Sequence, residues 1–558
     1  MMSNQSSSKP DFISSLSELE RFFPLIILAF ALPLFFYKLG AVAFLGPDEP
    51  RYAQVAREMY ERNDFITPTL LGDTWFEKPA LLYWLMIGFY HLFNPSELAA
   101  RLPNALFATA NLLIIYKIAK RAGGSIYGLS SALILATSAL YFGLARAASF
   151  DMPLTFSFTA AIATFHLADT SENKKPKSFY LILFYIALGV SVLAKGLVGF
   201  VLIGAIIGSY IILTGQLRNL LEFRPFLGLI IFLLVISLWY VPVTITHGWA
   251  FIDEFFIQHH FQRFTSNKYR HPGPIYFFVL IILAGVFPWS IFLLQGIKRL
   301  TKLRPSGFGW FAFIEKQDRL LLLALLWAFI PLAFFSLSSS KLPGYILPVF
   351  PAIALLIGYE VKKGFNEPKT LFYPLLITSL LIFIIAGVSP YFANKELATS
   401  YNTYFVLTPT LSFIALAIFF IMWKKELSLA IVGIFILNPI LAIVIATSLF
   451  PALENKDSLA PLTRIAIKHL EANEKIIFFN YLQYSPLFYS SGRIVRGDDG
   501  EALVLDTKDG LAKSLEQTKS LLCLTKERYL KEIIEDERFE ISLISKQRDV
   551  QLLRVKLK

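Results

Sequence analysis

Charge is scarce in this chain: 16% of its 558 residues are Asp, Glu, Lys or Arg. A soluble domain carries about 25%, so a water-soluble fold would need an excessive buried core. Cysteine is nearly absent too. The single thiol, Cys523, excludes an internal disulfide framework and any Cys-rich metal site, and is expected to pack in a core strand. No internal repeat marks the inverted halves of a transporter. No small-residue cleavage site follows the polar segment that ends at Glu20, so the apolar run after it reads as a retained first span. Basic residues outnumber acidic ones, 52 to 40, yet they form no single patch, and no nucleic-acid partner is expected.

What is present is apolar. Hydrophobic residues make up 55% of the chain, 53 of them Phe, and mean hydropathy is +0.58. Helices in lipid need apolar side chains all round. Runs of about 20 apolar residues, enough to cross a bilayer, begin near Phe22, Leu98, Ile126, Met152, Phe179, Leu197, Pro225, Pro274, Leu320, Leu342, Thr370, Tyr404 and Leu427. A further run, Ala80 to Phe93, is too short to span and rich in Tyr and Trp, so it is expected to lie at the membrane surface. The expected fold is an all-α membrane domain of about 13 spans followed by a small α/β domain.

Loop charge sets the expected orientation. With the N-terminus in the cytoplasm, Lys117, Lys120, Arg121, Lys174, Lys175, Lys177, Arg218, Arg224, Lys298, Arg299, Lys302, Arg304, Lys362, Lys363, Lys424 and Lys425 all fall inside, as the positive-inside bias requires. Residues 41–80, Ala148–Pro153, 247–273 and Ser338–Pro348 then fall outside. Three parts are expected: a cytoplasmic tail, 1–21; a membrane domain, 22–453; and a soluble extracytoplasmic domain, 454–558. In the last, strands are expected at Lys475–Phe479, Arg493–Arg496, Ser520–Leu524, Glu540–Ser545 and Val550–Val555, with a helix over Lys526–Asp536.

Chemistry-bearing residues gather in the outer loops. Asp48 and Glu49 stand side by side in Gly46-Pro47-Asp48-Glu49-Pro50-Arg51-Tyr52-Ala53, ahead of a helix expected over Tyr52–Arg62. Arg51 follows Asp48 by three residues; Arg51, Gln54 and Glu58 share one helix face. Acids before a proline also suit a helix N-terminus, and both readings stay open. Lys78, in Phe76-Glu77-Lys78-Pro79, sits where a lipid phosphate would lie, or where a lysine simply snorkels. Asp151 opens a span. Among His259, His260, Gln262 and Arg263, the guanidinium is the strongest phosphate donor; a metal held by one histidine, His260 or His259, with a carboxylate such as Glu77 is the lesser reading. Lys341 and Tyr345 offer further phosphate donors, although an aromatic belt explains Tyr345 nearly as well.

Taken together, Arg51, Lys78, Arg263, Lys341 and Tyr345 are phosphate donors, and Asp48 and Asp151 are acids, all expected on one membrane face. Such a mixture suits removal of a glycosyl group from a polyprenyl phosphate. Cations stabilise the departing phosphate, and a carboxylate orients the acceptor or balances oxocarbenium charge.

These residues, in this order, resemble the GT-C-fold bacterial membrane glycosyltransferases, in the aminoarabinose (lipid A) transferase branch related to protein O-mannosyltransferases. The resemblance is carried by Pro47-Asp48-Glu49 with Arg51-Tyr52-Ala53, by Phe76-Glu77-Lys78-Pro79 with Tyr83-Trp84, by Asp151, by His260 with Gln262-Arg263-Phe264, and by Lys341-Leu342-Pro343 with Tyr345-Ile346-Leu347. It implies an inner-membrane enzyme whose donor is an undecaprenyl-phosphate sugar, 4-amino-4-deoxy-L-arabinose, and whose acceptor is a lipid A phosphate in the periplasm. Asp48 would be the main catalytic carboxylate and Asp151 a second essential acid. Lys78 and Arg263 would hold the donor phosphate, with Arg51 and Tyr345 nearby. No cofactor is required by the pattern, although Glu77 and His260 fall where the family can hold a divalent, zinc-like ion. Pro50 and Ala80-Leu81-Leu82 depart from the aminoarabinose pattern toward the broader family, which leaves another sugar or a glycan or protein hydroxyl acceptor open. A transporter of polyprenyl-linked lipid is the rival from another class, but its ionisable groups should lie near mid-membrane.

Overall fold

The computed structural model describes residues 19–262, 272–302, 316–397, 402–471, 474–490, 492–497 and 502–558. Each apolar run noted above is helical there. Among the described residues, eight helices are long and apolar enough to cross a bilayer, or up to ten if each of two bent pairs is one span. The pairs are Ser125–Thr137 with Ala139–Ala145, bent by 69°, and Phe277–Gly285 with Ser290–Lys298, bent by 118°. The expected count is higher because some runs form shorter pieces. Phe23–Ala31 passes into a π-helical turn at Leu32–Phe36, and Leu197–Leu213 has 17 residues. The helix Leu81–Phe93 has 13 residues, roughly 20 Å at the α-helical rise and short of the hydrocarbon thickness.

The chain divides into two compact units. Residues up to 37, 104–146 and 150–446 form the first, a helical bundle. In lipid, helices associate through close packing of small residues and satisfied polar groups. Accordingly, a Cβ on Gly358 would overlap the Ser131 hydroxyl. Two buried indoles find acceptors as well: Trp289 donates to Thr137 Oγ1 at 2.8 Å, and Trp327 to the Pro348 carbonyl at 2.7 Å.

Residues 38–103, 147–149 and 447–558 form the second unit, which holds a short antiparallel hairpin, β1 Thr69–Leu70 with β2 Asp73–Thr74, and a five-stranded sheet. That sheet has the order β4-β3-β5-β7-β6, with β3 Ile476–Phe479, β4 Val504–Leu505, β5 Ser520–Lys526, β6 Phe539–Gln547 and β7 Val550–Leu557. β3 runs parallel to β4 and β5, whereas β7 is antiparallel to β5 and β6. Strand β5 is buried from Ser520 through Thr525, as a central strand covered on both faces should be. Cys523 lies in it, fully buried, and burial pushes its thiol up to about 12.

Four expected strands and the helix at Glu527–Ile534 are present. The expected strand Arg493–Arg496 is not: Ile494 and Arg496 make only isolated bridges, to Ile476 and Ala502. Two apolar residues between two arginines are too few to sustain a ladder. Among the elements not anticipated are β4 and the helices Ala460–His469, Ser485–Tyr489 and Lys508–Thr518. The last of these is mostly polar and shows the core only Leu511, Ala512 and Leu515. Thr507 caps it, accepting from Gly510 N–H at 3.2 Å.

Candidate functional site

In the second unit, the Asp48-Glu49 pair opens a helix that runs from Asp48 to Arg62 and ends at Asn63 in the left-handed region. It begins before the expected Tyr52, because Pro50 falls in the first turn, where a missing N–H costs nothing. Adjacent residues diverge by about 100° around a helix, and the two acids separate accordingly. The Asp48 side chain is 47% exposed and accepts from Arg51 Nη2 at 2.5 Å.

Glu49 turns inward. It is paired with Arg101 through both oxygens, at 2.9 and 2.8 Å, and accepts from the backbone N–H of Leu45 and Ala148 at 2.8 and 2.7 Å. Arg101 donates further to the carbonyls of Leu39, Val42 and Ala43. Glu49 is therefore the anchor of the loop that presents Asp48. Both acids stand in the first turn, where a helix N-terminus favours negative charge, but neither is the cap itself: Pro47 is the N-cap residue and makes no side-chain bond.

Arg51 stands at the centre of the cluster. Its guanidinium lies over Tyr484, 4.8 Å from the ring centre, and 5.9 Å from that of Trp75. Burial works against its charge, but the carboxylates of Glu77 and Asp48 hold the group above its ordinary value. Glu77 and Lys78 are both buried and paired at 2.8 Å. Burial, with the Glu77 charge adding to it, lifts the hydroxyls of Tyr52 and Tyr83 well above the phenol range. Both phenols thus stay protonated at neutral pH. The result is a fixed ammonium and guanidinium beside a half-exposed carboxylate, in surroundings where charge is strongly felt.

In the first unit, Asp151 opens the helix Asp151–Asp169 and is ion-paired with Lys195, the last residue of Lys174–Lys195. Lys195 lies over the Tyr345 ring, 4.8 Å from its centre, and Gly344 packs against the Asp151 carboxylate. Lys341, buried, donates to the Ser338 carbonyl at 2.5 Å. Of the anticipated residues, Asp48, Arg51, Glu77 and Lys78 are thus gathered in one unit, and Asp151 and Tyr345 meet around Lys195 in the other. Arg263 and the side chain of His260 lie outside the described residues.

Among the described residues, no group of three or more His, Cys, Asp and Glu is placed to hold a metal ion. A divalent ion at Glu77 would share that carboxylate with the Lys78 ammonium.

Three participants went unnoticed in the sequence. Lys195 follows an apolar run and precedes Gly196, a signal that was there to be used. Arg101 lies inside the long helix Glu97–Gly123, and a charge in an apolar helix marks a partner. Tyr484 had no local signal at all.

A family profile described as dolichyl-phosphate-mannose-protein mannosyltransferase matches residues 77–240. An uncharacterized protein of Aquifex aeolicus is 30% identical over 370 residues, 66% of this chain and 70% of that one. The crystal structure of ArnT from Cupriavidus metallidurans bound to undecaprenyl phosphate superposes with a TM-score of 0.75 over 95% of this chain and 97% of that one, at 21% identity. This chain has the GT-C fold. It is 30% identical, over 322 residues, to the undecaprenyl phosphate-alpha-4-amino-4-deoxy-L-arabinose arabinosyl transferase of Edwardsiella ictaluri. The match covers 58% of this chain and 56% of that relative. As a GT-C protein it crosses the membrane several times.

Proposed function

We propose that this protein transfers a sugar, 4-amino-4-deoxy-L-arabinose, from undecaprenyl phosphate to a lipid A phosphate on the periplasmic face of the bacterial inner membrane. The names of its relatives support the donor. The observation that carries the reading is the cluster around Arg51, in which the acid Asp48 and the buried pair Glu77–Lys78 sit beside one guanidinium.

In the reaction, an acceptor oxygen attacks the anomeric carbon, and the bond from that carbon to the polyprenyl phosphate oxygen breaks. The phosphate leaves with the bonding electrons. Lys78 and Arg51 neutralise its growing charge, and Arg263 is assigned the same role. A phosphate monoester is already ionised near neutral pH, with its second pKa about 6, and needs no base. Asp48 therefore orients the acceptor and balances positive charge on the sugar ring. Asp151 is the second essential acid, held by Lys195; Lys341 and Tyr345 complete the donor-binding set. No step is routed through a metal. The N-terminus is assigned to the cytoplasm and residues 454–558 to the periplasm.

The test is mass spectrometry of lipid A from cells that make the donor lipid, with and without this protein. An aminopentose on the lipid A phosphate only when the protein is present is the expected result. A new hexose or aminosugar on another glycan or a protein would move the acceptor while keeping the transferase. No glycosylation change in any fraction would overturn the reading.

One substitution probes Asp151 without removing it. Gly344→Ala places a Cβ against the Asp151 carboxylate and should displace it from Lys195. Misplacing a group by about 1 Å can cost roughly a hundredfold in rate. Transfer by Gly344→Ala protein, compared with its thermal midpoint, reads this: lost activity with an unchanged midpoint is expected, and full activity would remove Asp151 from the mechanism.

A further inference from the structure

Arg51 is held by one carboxylate and two rings. Among the described residues its only hydrogen bond runs to Asp48 Oδ1. Its Nε is shielded and unbonded, whereas the terminal Nη1, equally unbonded, is left open. A guanidinium carries five N–H groups in one plane, and a single bond to a half-exposed acid does not fix that plane. Glu77 and Asp48 both attract the group. An unrestrained Arg51 would fold its N–H edge onto a carboxylate and be lost to a phosphate. A ring against the face sets the plane and leaves the edge free. The Tyr484 ring centre is 4.8 Å from Cζ, and that of Trp75 is 5.9 Å away, at the outer limit of about 6 Å for such contacts. Tyr484 is therefore the ring that counts.

Tyr484 is itself held from both sides. It stands at the N-cap of the short helix Ser485–Tyr489. Toward the sheet, Gln483 donates to the Asp457 carbonyl at 2.6 Å, and Ser485 Oγ accepts from Leu459 N–H at 2.8 Å. Toward the Asp48 helix, Arg57 donates to the Phe488 carbonyl at 3.2 Å. Phe44 packs edge-on against Phe488, with ring centres 4.9 Å apart, and its N–H donates to the Tyr489 hydroxyl at 2.9 Å. The ring thus reaches Arg51 from a backbone that is tied down on either side.

We propose that Tyr484 is a positioning residue for the transfer: its ring sets the plane of the Arg51 guanidinium, so that the free N–H edge meets the donor phosphate. This rests on the transfer reading above and deepens it, because it gives the sheet-bearing end of the chain a part in donor binding.

The experiment is binding of undecaprenyl phosphate alone to the full-length protein in detergent, followed by microscale thermophoresis. Tyr484→Ala should weaken binding roughly three- to thirtyfold, the worth of one cation–π contact. Tyr484→Leu keeps the bulk without the π face and should weaken it as much; it carries the comparison should the Ala variant unfold. Tyr484→Phe keeps the face and should bind as the parent does. In an Arg51→Gln background, Tyr484→Leu should add no further loss, since the ring acts through the guanidinium. Three results overturn the proposal and leave the transfer reading standing: Tyr484→Leu binding as tightly as the parent, Tyr484→Phe binding as weakly as Tyr484→Leu, or an undiminished loss in the Arg51→Gln background. A parent protein that binds no undecaprenyl phosphate would instead sink the transfer reading, and the role of Tyr484 with it.

Discussion

Asp48→Asn protein should transfer sugar roughly a hundred to a thousand times more slowly than the parent, the span associated with loss of one electrostatic stabiliser of the transition state. Asn keeps the shape and removes the charge. The Asp48 side chain is half-exposed and faces Arg51, so folding loses little. A first-turn acid at a helix N-terminus is worth about 0.3–1 kcal/mol, and the Arg51 guanidinium keeps the charge of Glu77 nearby. Rate and stability should therefore separate. Single-turnover transfer from a purified undecaprenyl-phosphate sugar would read the first, and thermal unfolding in detergent the second. A variant that turns over at the parent's rate would take Asp48 out of the chemistry and leave it a plain ion-pair partner. Lost rate together with lost fold would say that the charge holds the loop instead of acting on substrate.

The membrane architecture was legible because lipid imposes it one segment at a time. An apolar run of span length must be a helix, whatever its neighbours are, and every such run here is one. The soluble sheet was legible where strands carried four or more apolar or alternating residues, as in β3, β5 and β7. It was not at β4, two residues long, or at Arg493–Arg496, where the pattern was present and the ladder was not. The site divides along the same line. Helical spacing correctly linked Arg51 to Asp48 and Gln54 to Glu58, which bond at 2.5 and 2.9 Å, because those contacts are local. Tyr484 over Arg51, Tyr489 donating to Glu97 at 2.8 Å, and Phe44 N–H donating to Tyr489 at 2.9 Å join segments hundreds of residues apart, and no periodicity reports them. The division of labour between Asp48 and Glu49 was hidden for the same reason. Two like residues side by side look equivalent until the distant Arg101 claims one of them.

The larger loss of stability is expected from Arg101→Met, about 3–5 kcal/mol, as for a buried ion pair broken on one side. Arg101 is 4% exposed and serves five acceptor atoms: both oxygens of Glu49 and the carbonyls of Leu39, Val42 and Ala43. Met fills much of the same volume but donates nothing. Glu49 would remain a buried carboxylate supported only by two backbone N–H groups, and three carbonyls would lose a charged donor. Changing both partners, Arg101→Met with Glu49→Gln, removes the stranded charge and should recover part of the loss, since a buried pair replaced as a whole is often close to neutral. Because the chain has two compact units, one global unfolding free energy is poorly defined. Limited proteolysis of residues 38–103 is the better readout: faster cutting in Arg101→Met, slower again in the double variant. Transfer should fall along with it, as Glu49 is bonded into the loop that carries Asp48. Equal protease resistance in the single variant and the parent would mean that the loop is held by something other than this pair. The inward turn of Glu49 would then be an incidental contact, and Asp48 would owe its placement to Arg51 alone.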